Sequence, residues 1–233
     1  MNRPSPRATR IYLPLLVAGL VALATLAMSA RHADAQTHTT RHAAMGSMQT
    51  TDITARQLAF RNRMRVLWEQ HVAWTRMAIV SFAGGLPDLP ATEHRLLRNQ
   101  TDIGNAIAPF YGTAAGDRLT ALLRRHILIA VDILVDVKAG DTTKLAADSA
   151  AWTSNANRIS AFLHRANPVN WPLSDLRAMM HRHLRLTANE AVAELSGNYT
   201  GSVRAYDRVE REILGMADML STGIIKQFPH RFD

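Results

Sequence analysis

The residue types in this chain best suited to chemistry are three histidines at matched spacing. His71 lies in Leu67-Trp68-Glu69-Gln70-His71-Val72-Ala73-Trp74-Thr75-Arg76. His126 lies in Leu122-Leu123-Arg124-Arg125-His126-Ile127-Leu128-Ile129-Ala130, and His183 in Met179-Met180-His181-Arg182-His183-Leu184-Arg185-Leu186-Thr187. Each precedes a glycine (Gly85, Gly140, Gly197) by fourteen residues. Imidazole beside carboxylate suits Zn, Fe, Cu or Ni, and helical bundles build metal sites from facing side chains. The ligand set this suggests is His71, His126, His183, Glu190 and Glu210, supported by Asn99, Asp102, Asn155, Thr75 and Thr187.

The opposing reading makes each histidine a core residue hydrogen-bonded to Thr75, an asparagine or a carbonyl. A buried polar group without such a partner costs a few kcal/mol. Glu190 and Glu210 become acids near a bundle end that reach water. The metal pattern is also incomplete. No paired Glu-x-x-His occurs, and His183 and Glu190 are about 10 Å apart along a helix, too far to share an ion unaided. Haem held between His and Met is a weaker option, because methionine is ordinary core filler. The expectation carried forward is no cofactor, with a transition metal as the alternative.

Other chemistries fall away. The chain has no cysteine. That removes disulfides, thiolate zinc sites, cysteine nucleophiles, thioether-linked haem and a lipoprotein anchor. There is no Gly-x-Ser-x-Gly for a serine nucleophile. Gly84-Gly85 and Gly112 lack the phosphate-cradle pattern and read as helix stops.

The elements that must position the histidines are helices. From Thr54 the apolar residues recur with helical period. One arc of a first helix, about Ala55 to Ala83, holds Met64, Leu67, Trp68, His71, Trp74, Thr75, Ala78, Ile79 and Phe82, leaving Glu69 and Arg76 outside. A second runs from about Ala91 to Ala108, ended by Pro109, with Asn99 inward, Asp102 at the edge and Asn105 pointing away. A third runs from Gly116-Asp117 to Lys138 with His126 mid-stripe. Asp141 caps a fourth, which continues to Ala166 and turns Asn155 inward. A fifth runs from Trp171-Pro172 to Leu195, its inner stripe holding His183, Thr187, Glu190 and Glu194. A sixth, Ser202 to Gln227, turns Tyr206, Glu210, Ile213 and Leu220 inward. The fold expected is all-α: an antiparallel bundle of about six helices in three hairpins. The first two hairpins match at an offset of 55 residues, and the third follows with two residues added. Short connections make the odd helices parallel, which brings the histidines to similar heights.

At 233 residues, 47% of them hydrophobic, the chain is long enough for one sizeable core. Part of its +8 charge lies in the first 35 residues, so no nucleic-acid partner is read from it. Residues 1–35 read as an export signal. Arg3, Arg7 and Arg10 precede an apolar run from Ile11 to Met28, and Ala33-Asp34-Ala35 gives a small-x-small cleavage pattern. The rival is an uncleaved anchor over 11–28 in the cytoplasmic membrane. Residues 36–53 read as a linker in which His38 and His42 could bind metal loosely. The bundle domain is expected over 54–230. Arg61, Arg63, Arg65, Arg124, Arg125, Arg182 and Arg185 fall mostly on outward faces, where anionic envelope material could meet them.

Leu67-Trp68-Glu69-Gln70-His71 with Trp74-Thr75-Arg76, Leu96-Leu97-Arg98-Asn99-Gln100, Pro109-Phe110-Tyr111-Gly112 and Gly223-Ile224-Ile225-Lys226-Gln227-Phe228-Pro229 form a set of phrases, joined by Ala166-Asn167-Pro168, Trp171-Pro172 and Gly197-Asn198-Tyr199. With them the chain resembles a family of small exported bacterial helical proteins of unassigned function, over about residues 58–232. Some members carry a glycosyltransferase label. The residues do not support that activity, since there is neither an alternating strand–helix pattern nor an Asp-x-Asp pair. The functional expectation is an exported, non-enzymatic binding or envelope protein, periplasmic or secreted, with a small ligand or envelope component as partner. The membrane would be met only through the N-terminal segment.

Overall fold

The computed structural model describes residues 53–233, and the export-signal and most of the linker expectations lie outside them. The described chain forms six α-helices: α1 (Ala55–Gly84), α2 (Leu89–Tyr111), α3 (Thr113–Ala139), α4 (Thr142–Ala166), α5 (Leu173–Leu195) and α6 (Tyr199–Gln227). Each packs on the next, and α6 returns to α1, so the helices close a ring. No strand occurs among the described residues. None of these helices is long and apolar enough to cross a membrane.

The three hairpins repeat in detail. Gly85, Gly140 and Gly197 adopt φ of 62°, 72° and 74°, a left-handed conformation that side chains resist. The next N–H in each case (Leu86, Asp141, Asn198) donates to the carbonyl five residues back (Ser81, Asp136, Ala193) at 2.9, 3.0 and 2.9 Å. This is the Schellman closure of a helix. Identical stops at matched positions make the three turns alike and bring the odd helices to one register. The N-caps differ: Thr54 closes a capping box with Gln57, while Asp141 and Asn198 each accept from a backbone N–H three residues on.

Several boundaries differ from expectation. Helix α2 does not stop at Pro109 but runs through it to Tyr111. The missing N–H orphans only the carbonyl of exposed Asn105, which water can satisfy. Helices α3 and α6 begin about one turn earlier than the apolar pattern does, because Gly112 and Asn198 end the preceding turns. The domain also extends past residue 230. Phe232 is buried and stacks on Phe110 at 5.5 Å, and its carbonyl accepts from the Thr54 hydroxyl at 2.9 Å.

Backbones approach most closely between α2 and α3. A Cβ on Gly104 would stand 2.0 Å from Thr120 Oγ1 and 2.5 Å from the Gly116 carbonyl. Gly104→Ala is expected to lower the unfolding free energy by about 1–3 kcal/mol through overpacking. Gly215 in α6 has nothing within 4 Å of the same position. There Gly→Ala should gain up to about 1 kcal/mol from helix propensity alone. Urea denaturation of the two variants checks the contrast.

Candidate functional site

His71, His126 and His183 come together at the middle of the ring, each from an odd helix and each 3–4% exposed. The centres of the His71 and His183 rings are 5.7 Å apart, and those of His126 and His183 6.2 Å. Trp68 stands edge-on to His71, and Trp152 lies against His126 while its Nε1 donates to the His126 carbonyl.

Each imidazole is held by a residue 29 positions later, on the second helix of its own hairpin. His71 Nδ1 meets Gln100 Nε2 at 3.2 Å, His126 Nδ1 meets Asn155 Oδ1 at 3.0 Å, and His183 Nδ1 meets Glu212 Oε2 at 3.1 Å. These contacts fix the protons. Asn155 Nδ2 donates to the Leu122 carbonyl, so its oxygen faces His126 and accepts from Nδ1–H. The Glu212 carboxylate likewise accepts from His183 Nδ1–H. Gln100 does the reverse: its Nε2 donates to the Leu96 carbonyl at 2.8 Å and also to His71 Nδ1. His71 therefore carries its proton on Nε2, whereas neutral His126 and His183 leave Nε2 as a lone pair. Among the described residues no hydrogen bond from the protein reaches any of the three Nε2 atoms.

Burial makes the layer reluctant to take protons. His71 is held well below the usual imidazole range, first by desolvation and then by His183 and His126. His126 is pushed down to about 3 by burial and by His183, partly offset by Asn155. The positive charge of one ring would fall directly on the others.

The surroundings differ on the two sides. Toward the start of the odd helices lies an apolar cavity of about 20 Å³, lined among others by Met64, Trp68, Met179, Met180 and Met216. Toward the other end, the inner face of α5 continues His183 as Thr187, Glu190 and Glu194, all buried. Arg76 reaches across from α1 to Glu190 at 2.9 Å and Ser202 at 3.0 Å, its guanidinium 5.2 Å from the centre of the Tyr206 ring. Burial pushes the Glu190 carboxyl up to about 7, with the Arg76 guanidinium pulling the other way. Buried polar atoms without a protein partner gather around the layer: Gln100 Oε1, Glu212 Oε1, Thr187 Oγ1 and Trp68 Nε1.

The residues singled out in the sequence are divided by this geometry. The three histidines meet, and Asn155 supports one of them as expected. Asn99 is buried but donates to the Leu67 carbonyl at 3.0 Å, tying α2 to α1. Thr75 donates to the His71 carbonyl at 2.7 Å and not to its ring. Asp102 faces Arg95 at 3.8 Å. Glu190 is neither at water nor beside Glu210, because Arg76 reaches in from the edge of its helix to pair with it. Glu210 is half-buried, with no ion pair among the described residues. Gln100 and Glu212 went unnoticed, although adding 29 to each histidine number, or shifting Asn155 by the hairpin offsets, finds both. As they stand, no three His, Asp or Glu side chains among the described residues form a group able to hold a metal ion.

Comparisons with protein-family models, with curated proteins and with solved structures find no match.

Proposed function

We propose that this chain is an exported, non-enzymatic binding protein whose binding centre is the histidine layer. One observation carries the reading: three imidazoles, each oriented through Nδ1 from its own hairpin, turn toward one another in a buried centre ringed by unpartnered polar atoms. Hairpin pairing explains the Nδ1 contacts. It does not explain placing three further ring nitrogens together, since a buried acceptor without a donor costs about 1–3 kcal/mol. A small occupant with several polar contacts would satisfy them. The basic start, apolar run and Ala33-Asp34-Ala35 support export, and the motif phrases support kinship with small exported bacterial helical proteins.

An all-helical ring with no activated nucleophile favours binding over turnover. A porphyrin is a poor fit for a cavity of about 20 Å³. An envelope-surface role through the outward arginines is weaker, because Arg65 is engaged by Asp218 at 2.5 Å and Arg124 by the Leu97 carbonyl at 3.2 Å.

Native mass spectrometry of untagged protein tests the reading. The wild type should carry one stoichiometric adduct. The variant His71→Leu/His126→Leu/His183→Leu should lack it while keeping its helical circular dichroism. A bare wild type, together with a Leu variant that melts higher, would reduce the layer to core packing and end the proposal.

A further inference from the structure

We infer that the Nε2 atoms of His71, His126 and His183 are the three protein ligands of a divalent transition-metal site of the zinc type, with Glu212, Asn155 and Gln100 orienting the rings. This inference rests on the histidine layer being a binding centre and names its occupant.

The argument begins with the ring nitrogens. A histidine that ligates through Nε2 must carry its proton on Nδ1, and metal-binding histidines almost always donate that proton to a carboxylate, amide or carbonyl. His183 does so to Glu212 at 3.1 Å and His126 to Asn155 at 3.0 Å. Two of the three rings therefore stand in the ligating tautomer. His71 does not, because Gln100 donates to it. Gln100 Oε1 is nevertheless buried without a partner. Turning that amide over would place its oxygen on Nδ1 and release Nε2 to bind.

Spacing is the second step. Three imidazoles around a tetrahedral ion, at about 2.0–2.1 Å from nitrogen to metal, place their ring centres roughly 5.2 Å apart. The observed separations of 5.7 and 6.2 Å exceed this by ring shifts of an ångström or less. The adjoining cavity is lined by Met64, Met179, Met180 and Met216, which can repack to follow such a shift. The same cavity leaves room for a fourth ligand of the size of water.

The donor set then selects the metal. Three neutral imidazoles without thiolate suit Zn, Co, Ni or Cu in the divalent state, and are poor ligands for Mg or Ca. The Glu212 carboxylate behind His183, 4% exposed, supplies negative charge close to the ion.

The full chain, untagged and stripped with chelator, is titrated with Co²⁺ and then Zn²⁺. His32, His38 and His42 are replaced by Gln so that the N-terminal segment cannot contribute. One Co²⁺ per chain should bind with the visible absorption of a tetrahedral site and be displaced by Zn²⁺. Zn²⁺ should raise the melting temperature. His126→Leu or His183→Leu should weaken binding at least 100-fold while the apoprotein stays folded. Gln100→Glu, which accepts from Nδ1–H without an amide turn, should tighten it about tenfold, and Gln100→Leu should weaken it by a similar factor. No binding by the stripped protein, or binding indifferent to His126→Leu and to Gln100→Glu, overturns the assignment. If native mass spectra then show an organic adduct that the triple-Leu variant lacks, the histidine layer remains a binding centre and only the metal is wrong. With no adduct either, both ideas fall together.

Discussion

Arg76→Leu is expected to lower the unfolding free energy by about 3–5 kcal/mol at pH 7.5, with much of that loss disappearing near pH 5. Glu190 is 1% exposed and Arg76 22%, so the substitution leaves an almost fully buried carboxylate without its guanidinium. Such a carboxylate escapes by taking a proton. Burial already pushes Glu190 up to about 7 with Arg76 in place, and removing the arginine pushes it further. A carboxyl whose folded pKa is raised contributes stability below its unfolded pKa of about 4.3 and loses it as pH rises through the folded value. The variant is therefore worst at high pH, where the unfolded chain ionises freely and the folded one cannot. Arg76→Leu/Glu190→Leu should recover most of the loss at every pH, since a buried ion pair replaced by apolar side chains is often neutral or better. Chemical denaturation of the wild type and both variants at pH 5 and 7.5 measures this. A single variant equally destabilised at both values would show that Arg76 acts through its contacts with Ser202 and Tyr206 and not through charge.

The ring of helices and its inner faces were legible because two local rules agree. Apolar residues recur with period 3.6, and glycines stop α1, α3 and α5 at matched positions. His71, His126 and His183 inherit their meeting point from those stops, so their convergence could be read before any distance was known. Gln100 and Glu212 could not be found from apolar stripes. Each lies on an even helix beside the stripe, facing its hairpin partner, where a wheel marks the position as lateral. The repeat held the information that amphipathicity did not. Arg76 was placed outside its arc for a related reason: a wheel places the Cα, while a long side chain can carry its head group several ångströms across a neighbouring surface. Thr75 shows a third gap. A threonine in a helix has a carbonyl four residues back within easy reach, and that bond took precedence over the histidine ring.

Metal-stripped protein is expected to lose about 2 kcal/mol of stability between pH 6.5 and pH 5, and the sign of that slope is set by the histidine layer. His71 lies well below its ordinary value and His126 at about 3, against an unfolded value near 6.5. Over this window the unfolded chain binds two more protons than the folded one at these positions. Each contributes roughly 1.4 kcal/mol per pH unit, so together they remove about 4 kcal/mol as pH falls. Their stability is fully present above the unfolded value and is lost on acidification. Glu190, raised to about 7, works in the opposite sense: the folded protein holds its proton and gains about 2 kcal/mol over the same interval. Substitutions separate these contributions because the remaining carboxylates are common to every variant. Glu190→Gln should steepen the loss to about 4 kcal/mol. His126→Leu should bring the curve close to flat, and His71→Leu/His126→Leu should make the protein more stable at pH 5 than at pH 6.5. The measurement is urea denaturation in chelating buffer at quarter-unit pH steps. A slope left unchanged by His126→Leu would mean that this ring takes its proton in the folded state as readily as in the unfolded one. The buried layer would then have to open or admit water on acidification.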